Sequence, residues 1–407
     1  MKRRRFLEKS GKATAGIGLM MTGFPHIIRA QNQVGKINLG IIGTGDRGEW
    51  LAYILKSVPE IRLAACCDIL PKHLKNGMKH ADAKATAYED YRDMLDDKNI
   101  DAVIVCTPLY LHFQMAMDAL SAGKHIFCEK TMTYNIEQAL QLTKEVQSTD
   151  LTFQVGYQLR CNPLLEEIKE MLDSEVCGEI THIRCNYHRN GNWRRKVDDP
   201  KLERLINWRM YREYSGGLMA ELCSHHIDIT NWILGAHPQK VTGFGGIDYW
   251  KDGRETYDNV NTLFEYPGGV KAIFTSITTN ATYGISLQYM GILGTIEILK
   301  EEGQEALFYA EKQLIEREKD EKIDGYTSAT RQAWERGEGV PIKIENRPKD
   351  DSITSALALQ HFAFCIQNKK TPISNVKTGM QSAIAVHLGN MAMRSGEVQY
   401  WKTEYDV

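Results

Sequence analysis

From residue 37 onward, short apolar runs alternate with segments of helical period. The runs are "INLGII" (37–42), "IRLAACCD" (61–68), "IDAVIVCTP" (100–108) and "HIFCEK" (125–130). Unbroken apolar stretches of this length read as strands buried on both faces of a parallel sheet. Between them, "EWLAYILKSV" (49–58), "YEDYRDMLDD" (88–97) and "HFQMAMDALSAG" (112–123) read as helices, the last stopped by Gly123. Strands and helices in alternation imply right-handed crossovers and a ligand crevice at the carboxyl ends of the strands. After "FQVGYQLRCNP" (153–163) the period changes to two, in "ITHIRCNYHRN", "NTLFEY", "VKAIFTSITT" and "ISLQYMGILGTIEIL". That alternation predicts antiparallel strands with one face solvated or covered by a partner. Residues 303–352 are charged and read as loops with one helix, and "SALALQHFAFCIQN" and "GMQSAIAVHLGNMAMRSG" as late amphipathic helices. The predicted organisation is an α/β domain with a parallel sheet over 34–158 and an α+β domain with antiparallel strands over 159–407. The late helices are free to pack back on the first domain.

The 407 residues, 43% apolar and 25% charged, are ordinary for a globular protein of two or three domains. A net charge of −2 leaves no basic excess for nucleic acid and no polybasic tract for an anionic membrane. The one basic run, "KRRR" at 2–5, opens a signal-peptide pattern with a modest apolar region and a small-residue exit near Ala30. Arg3, Arg4, Phe6 and Leu7 resemble a twin-arginine export element. Gly23 and Pro25 interrupt the apolar part, which falls short of the ~20 residues of a membrane span. Residues 1–33 are therefore set apart as a signal for export to the periplasm. If the signal is not functional, the protein stays in the cytoplasm. The nine cysteines include no C-x-x-C pair, so they read as buried small hydrophobes rather than zinc or redox ligands.

Chemistry enters at the first turn. Gly43, Gly45 and Gly48 form G-x-G-x-x-G between a strand and a helix, and Asp68 follows Gly48 by 20 residues at the end of the second strand. The glycines allow a tight turn and close approach of a pyrophosphate, the helix N-terminus supplies N–H donors, and the acid can hold a ribose diol. An acid there repels a 2′-phosphate and no arginine follows it, so NAD is favoured over NADP. Thr107, Pro108, His112, Glu129 and Lys130 lie at or just beyond other strand ends.

These motifs, with "TPLYLH", "AGKHIFCEK" and a downstream acid-x-x-x-His, resemble the glucose-fructose oxidoreductase / inositol dehydrogenase / MocA family. The resemblance covers nearly the whole chain after residue 33. It implies a Rossmann domain, then a domain built on a large, mostly antiparallel sheet, one face of which lines the substrate cleft while the other packs in a homodimer or homotetramer. It implies dinucleotide contacts at Gly43, Gly45, Arg47, Gly48, Asp68, Thr107, Pro108, His112, Glu129, Lys130 and Gln158. Lys130 matches the lysine of the family's E-K-P motif, with Thr131 in place of the proline.

Within "SGGLMAELCSHHIDITNWILGAHP", Ser215 can cap a helix that Gly235 ends. On that helix Glu221, His225 and Asp228 share one face, and His226 points about a quarter turn away. The H-x-x-x-H spacing of a helical metal site is absent, so no metal is expected. The family pattern is similar to D-x-G-x-H-x-x-D here, with Glu221 for the aspartate and Cys223 for the glycine. By that resemblance Lys130, His225 and Glu221 form the catalytic set. Lys130 and His225 act on the hydroxyl whose carbon loses hydride. Substrate contacts are expected at Tyr157, Arg160, His188, Trp193, Arg194, Trp208 and Asp228, because aromatic faces and arginine forks suit a small carbohydrate. Three readings stay open: an NAD-dependent sugar or polyol oxidoreductase, a redox-neutral glycosidase that oxidises its sugar transiently, and a non-catalytic binding protein on the same fold. An exported enzyme meets little free NAD, so a tightly bound, recycled cofactor is expected.

Overall fold

The computed structural model describes residues 35–299, 305–311, 339–344 and 351–407. The export signal and most of segment 303–352 lie outside these residues. The first sheet contains β1 (Ile37–Ile42), β2 (Ile61–Cys67), β3 (Thr86–Tyr88), β4 (Ala102–Val105), β5 (His125–Cys128) and β6 (Phe153–Val155). Its order is β3-β2-β1-β4-β5-β6 with every pair parallel. All of β4 and all but one residue of β1 are buried, which is why both read as apolar runs, broken in β1 only by the half-exposed Asn38. Strand order reverses between β1 and β4, and that switch opens a crevice above their carboxyl ends. Helices α1 (Asp46–Ile54), α2 (Pro71–Met78), α3 (Tyr91–Asp96), α4 (His112–Ser121) and α5 (Ile136–Gln147) complete the domain.

The second sheet has nine strands in the order β14-β13-β12-β11-β7-β10-β9-β8-β15. They are β7 (Ile180–His188), β8 (Lys240–Gly246), β9 (Asn259–Glu265), β10 (Lys271–Ile277), β11 (Ile285–Gly291), β12 (Gly294–Ile298), β13 (Ala306–Ala310), β14 (Val340–Pro341) and β15 (Gln399–Tyr400). All neighbours are antiparallel except β7 and β10. Strict alternation of buried and half-exposed residues along β10 accounts for its period-two pattern. Two expectations need correcting. Tyr88, read as the start of the helix over 88–97, ends β3, and the helix begins only at Tyr91 after the Asp90 cap. Ala306–Ala310, placed among loops because its surroundings are charged, is a strand paired with β12.

The remaining longer helices are α6 (Pro163–Asp173), α7 (Ser224–Leu234), α8 (Asp351–Asn368) and α9 (Val376–Ser395), and Glu203–Ile206 forms a single helical turn. Asn162 caps α6 by accepting from the Leu164 N–H, with Pro163 at its first position. Leu359, Phe362 and Ala363 of α8 join the core around β1 and β2, and Phe362 meets Phe127 edge-on at 5.8 Å. Helix α9 packs against α5, α7 and β8, so the two domains are stapled by chain from the C-terminal end. All nine cysteines are free thiols. Burial pushes Cys66 and Cys67 up to about 12, so they serve as packing rather than as nucleophiles. No helix among the described residues is long and apolar enough to cross a membrane.

Candidate active site

A cavity of about 710 Å³ runs above the carboxyl ends of β1, β2, β4 and β5, between the two domains. Its outer end is built from the glycine turn. Gly43 has φ 89°, and a Cβ there would stand 2.7 Å from the Cys106 carbonyl oxygen. A Cβ on Gly48 would stand 1.9 Å from the Gly43 carbonyl oxygen, so only glycine lets α1 pack this closely on the turn. Gly45 is the N-cap of α1 and provides no side-chain cap, which leaves first-turn N–H groups for an anion. Asp68 follows β2 and accepts from the Thr44 N–H through Oδ2 and the Leu70 N–H through Oδ1, both at 2.8 Å. Those two bonds fix the carboxylate at the cleft wall. His73 lies 3.7 Å from it and is held above its usual pKa by it. A bare helix N-terminus, a glycine cradle that a Cβ would fill and a fixed carboxylate one strand away fit a dinucleotide.

The inner end is built from the β5 terminus and from α7. Glu129 accepts from Arg47 Nε at 2.8 Å. Lys130 Nζ donates to the Glu221 carbonyl oxygen at 2.9 Å. That carbonyl is reachable because Met219–Cys223 forms a π-helical turn leading into α7. Such turns disturb the regular i−4 ladder and recur at functional sites. The Glu221 side chain turns to Arg209, with Nε at 2.7 Å from Oε2. Burial raises the Glu221 pKa, but the Arg209 guanidinium and Lys130 outweigh it and hold the group ionised. Burial lowers Lys130, with Glu221 and Glu129 opposing and Arg209 and Arg47 adding to the fall. Burial, then the Lys130 charge, holds His225 well below the usual histidine range. Its Nδ1 is buried with no hydrogen-bond partner among the described residues. A neutral imidazole and a lysine whose charged form is disfavoured by burial thus face one cavity, a pairing suited to proton transfer.

Of the residues singled out from sequence, Gly43, Gly45, Arg47, Asp68, Thr107, Pro108, His112, Glu129, Lys130, Gln158, Trp193, Trp208, Glu221 and His225 line this cavity. Gly48 acts behind it. His112 is a buried strut whose ring nitrogens lie 2.9 Å from the Thr107 and Thr131 carbonyl oxygens. Several expected substrate contacts are placed elsewhere. Arg160 and Asp228 bind each other, Nε to Oδ2 and a terminal nitrogen to Oδ1, both at 2.8 Å, with side chains 3% and 0% exposed. Asp228 is three residues beyond His225, about 300° around the helix, and the remaining offset turns it away from the cleft. Tyr157 is buried edge-on behind His225 at 6.2 Å. His188 is occupied by the Thr282 carbonyl oxygen and the Thr275 hydroxyl. Arg194 is held by Glu203 and Asp252. His226 is buried against Tyr187 at 5.3 Å, and burial takes its pKa to about 3. The cavity also takes in Asp46, His73, Arg189, Arg195, Asn207 and Arg209, which the sequence did not single out.

Two family models match the chain. One, an oxidoreductase family with an NAD-binding Rossmann fold, covers residues 37–157, and the other, the GFO/IDH/MocA C-terminal domain, covers 165–297. The chain belongs to the GFO/IDH/MocA oxidoreductase family. Among relatives in this family, scyllo-inositol 2-dehydrogenase (NAD(+)) of Bacillus subtilis (strain 168) is 24% identical over 364 residues, 88% of this chain and 94% of that protein. The 2,7-anhydro-N-acetylneuraminate hydratase of Escherichia coli (strain K12) is 29% identical over 210 residues, 52% of this chain and 53% of its own. For several curated relatives the match spans little more than half of their length, from 52% to 59%. The solved structure of a levoglucosan dehydrogenase in complex with NADH and levoglucosan superposes with a TM-score of 0.74 at 18% identity. It covers 90% of this chain and 99% of that one, a likeness of fold. The first domain of this GFO/IDH/MocA protein is thus an NAD-binding Rossmann domain.

Proposed function

We propose that the protein oxidises a CH–OH group of a sugar or polyol, with Lys130 and His225 handling the hydroxyl proton. The observation that carries this reading is the convergence of Lys130 and His225 on the inner end of the NAD cleft. When bound, the nicotinamide supplies the hydride acceptor. The uncharged Lys130 amine takes the hydroxyl proton as the C–H pair leaves and the C=O forms. The ammonium that results is received by the Glu221 carbonyl oxygen and stabilised by the Glu221 and Glu129 carboxylates. Neutral His225 orients the same hydroxyl. Trp193 and Trp208 offer aromatic faces to sugar C–H groups along the cavity wall. The relatives' names support this substrate class. The test is to incubate the protein with NAD and a panel of cyclic polyols and pyranoses and follow reduced nicotinamide. Formation with at least one substrate is expected, and a silent panel would count against the proposal.

A second reading is redox-neutral turnover on a retained cofactor, and the name of the hydratase relative favours it. Cleavage of aryl glycosides or anhydro sugars without net NADH would select it. Export of the folded protein through the twin-arginine-like signal, and self-association through the outward sheet face that carries exposed Phe244 and Leu263, belong to the same proposal. N-terminal sequencing of the secreted protein and light scattering test them. A mature terminus that retains residues 1–33, or a monomeric mass, would refute each in turn.

A further inference from the structure

We propose that Arg195, on the second-domain segment that overlies the cleft, is a cofactor-binding residue that latches the dinucleotide in place by pairing with Asp46 on the glycine turn. The inference rests on the dinucleotide reading of the cleft. Asp46 is the first residue of α1, directly after Gly45, at the helix end that would face the pyrophosphate. A lone carboxylate there opposes a dianionic group. Arg195 meets it with both terminal nitrogens, one at 3.0 Å from Oδ1 and the other on Oδ2. The guanidinium cancels the unfavourable charge, and its fork retains donors for phosphate oxygens. The two residues are 149 positions apart in sequence and belong to different domains. Both line the cavity.

The framework behind Arg195 is more elaborate than a surface ion pair requires. The Arg195 N–H donates to Asn207 Oδ1 at 2.7 Å, and Asn207 Nδ2 returns to the Arg195 carbonyl oxygen at 3.0 Å. Asn207 is 2% exposed and also reaches Glu203 at 2.9 Å. Arg254 donates to the Asn192 carbonyl oxygen at 3.1 Å and to Asp252 at 2.9 Å, and Asp252 in turn takes Arg194. Between these anchors Trp193 is held at φ 67°, a conformation that a bulky residue keeps only when its surroundings impose it. The main chain of the segment is therefore fixed at the cavity wall, and the Arg195 side chain spans to the other domain. Side chains of Arg195 and Asp46 are 44% and 70% exposed, a setting in which an ion pair adds little to stability. A dinucleotide beneath the pair gives that framework its purpose, because the nucleotide leaves only when the pair opens.

The experiment uses the full chain, calorimetry with NAD, and stopped-flow displacement of bound NADH followed by nicotinamide fluorescence. Arg195→Met is expected to weaken binding and speed NADH release by at least about tenfold, while adenosine, which lacks the pyrophosphate, binds as before. Arg195→Lys, which keeps the charge but loses the fork, should fall between. Adding Asp46→Asn to Arg195→Met should recover part of the affinity, because the carboxylate then no longer faces the pyrophosphate unopposed. Release and affinity within twofold of wild type for Arg195→Met, or no recovery in the double variant, overturns the latch alone. Wild-type protein that binds neither nucleotide refutes the dinucleotide reading and the latch together.

Discussion

Lys130→Ala is expected to lower kcat by roughly 10²–10⁴-fold, the range for loss of a positioned acid–base group. NAD affinity should stay within a few-fold, because the glycine turn and Asp68, the proposed dinucleotide contacts, lie at the other end of the cleft. The Lys130 amine is buried, bonded to the Glu221 carbonyl oxygen, and held below the ordinary lysine pKa by that burial. In the proposed mechanism it works as a base in its uncharged form. The sign of the pH dependence follows. Activity should be low where Lys130 is protonated, rise as pH passes through its lowered pKa, and level off above. His225 adds no limb of its own near neutrality, since burial and the Lys130 charge keep it neutral well below that range. His225→Ala should also cut kcat strongly, while His226→Ala, which removes a ring packed on Tyr187, should act mainly on stability. Steady-state kinetics over pH for the three variants decides the matter. Loss of turnover in His226→Ala with retention in His225→Ala would contradict the assignment.

Asp228→Asn is expected to destabilise the protein by about 3–5 kcal/mol, the usual cost of removing one partner of a buried pair and leaving the other charge uncompensated. Arg160 would remain 3% exposed facing an uncharged amide, whose one acceptor oxygen it would share with Ser382 and whose NH2 would oppose its second nitrogen, with the Ile373 and Asp228 carbonyl oxygens as its other partners. The pair ties α7 to the short turn after β6, and through Ser382 to α9, so the loss should appear in global unfolding. Denaturant titration monitored by far-UV circular dichroism measures it. At temperatures where the variant is still folded, KM and kcat should be close to wild type. Wild-type stability combined with a raised KM would instead return Asp228 to the substrate site.

Strands β1, β2, β4 and β5 are legible in the sequence because both of their faces are largely buried, which confines polar residues to at most one position near the start of each strand, Asn38, Arg62 and His125. Strand β3 is not, since its three residues sit at a sheet edge and are at least half-exposed. Strand β8, "KVTGFGG", escapes notice because its three glycines carry no side chains to show a period. The cofactor end of the site is legible for a related reason. Close approach demands glycine at Gly43 and Gly48, and residue identity records that demand directly. The inner end is legible only as far as helix periodicity holds. The π-helical turn at Met219–Cys223 has no sequence period of its own, and a 60° offset within α7 separates Asp228 from His225. Arg195, Arg209 and Asn207 meet their partners across loops, and in the case of Arg195 across domains. Nothing local in "NWRRK" or "INWRM" distinguishes those side chains from solvated charge.

The most direct test of the account is transfer of label from a substrate carbon to the nicotinamide. Wild-type protein and Lys130→Ala would be incubated with NAD and with pyranoses and cyclic polyols deuterated at ring carbons, and the nucleotide recovered for mass spectrometry. The account predicts deuterium on the nicotinamide with at least one wild-type substrate, and near-complete loss of that label in Lys130→Ala under the same nucleotide occupancy. Full NAD occupancy with no label from any substrate, or equal labelling in the two proteins, would contradict it.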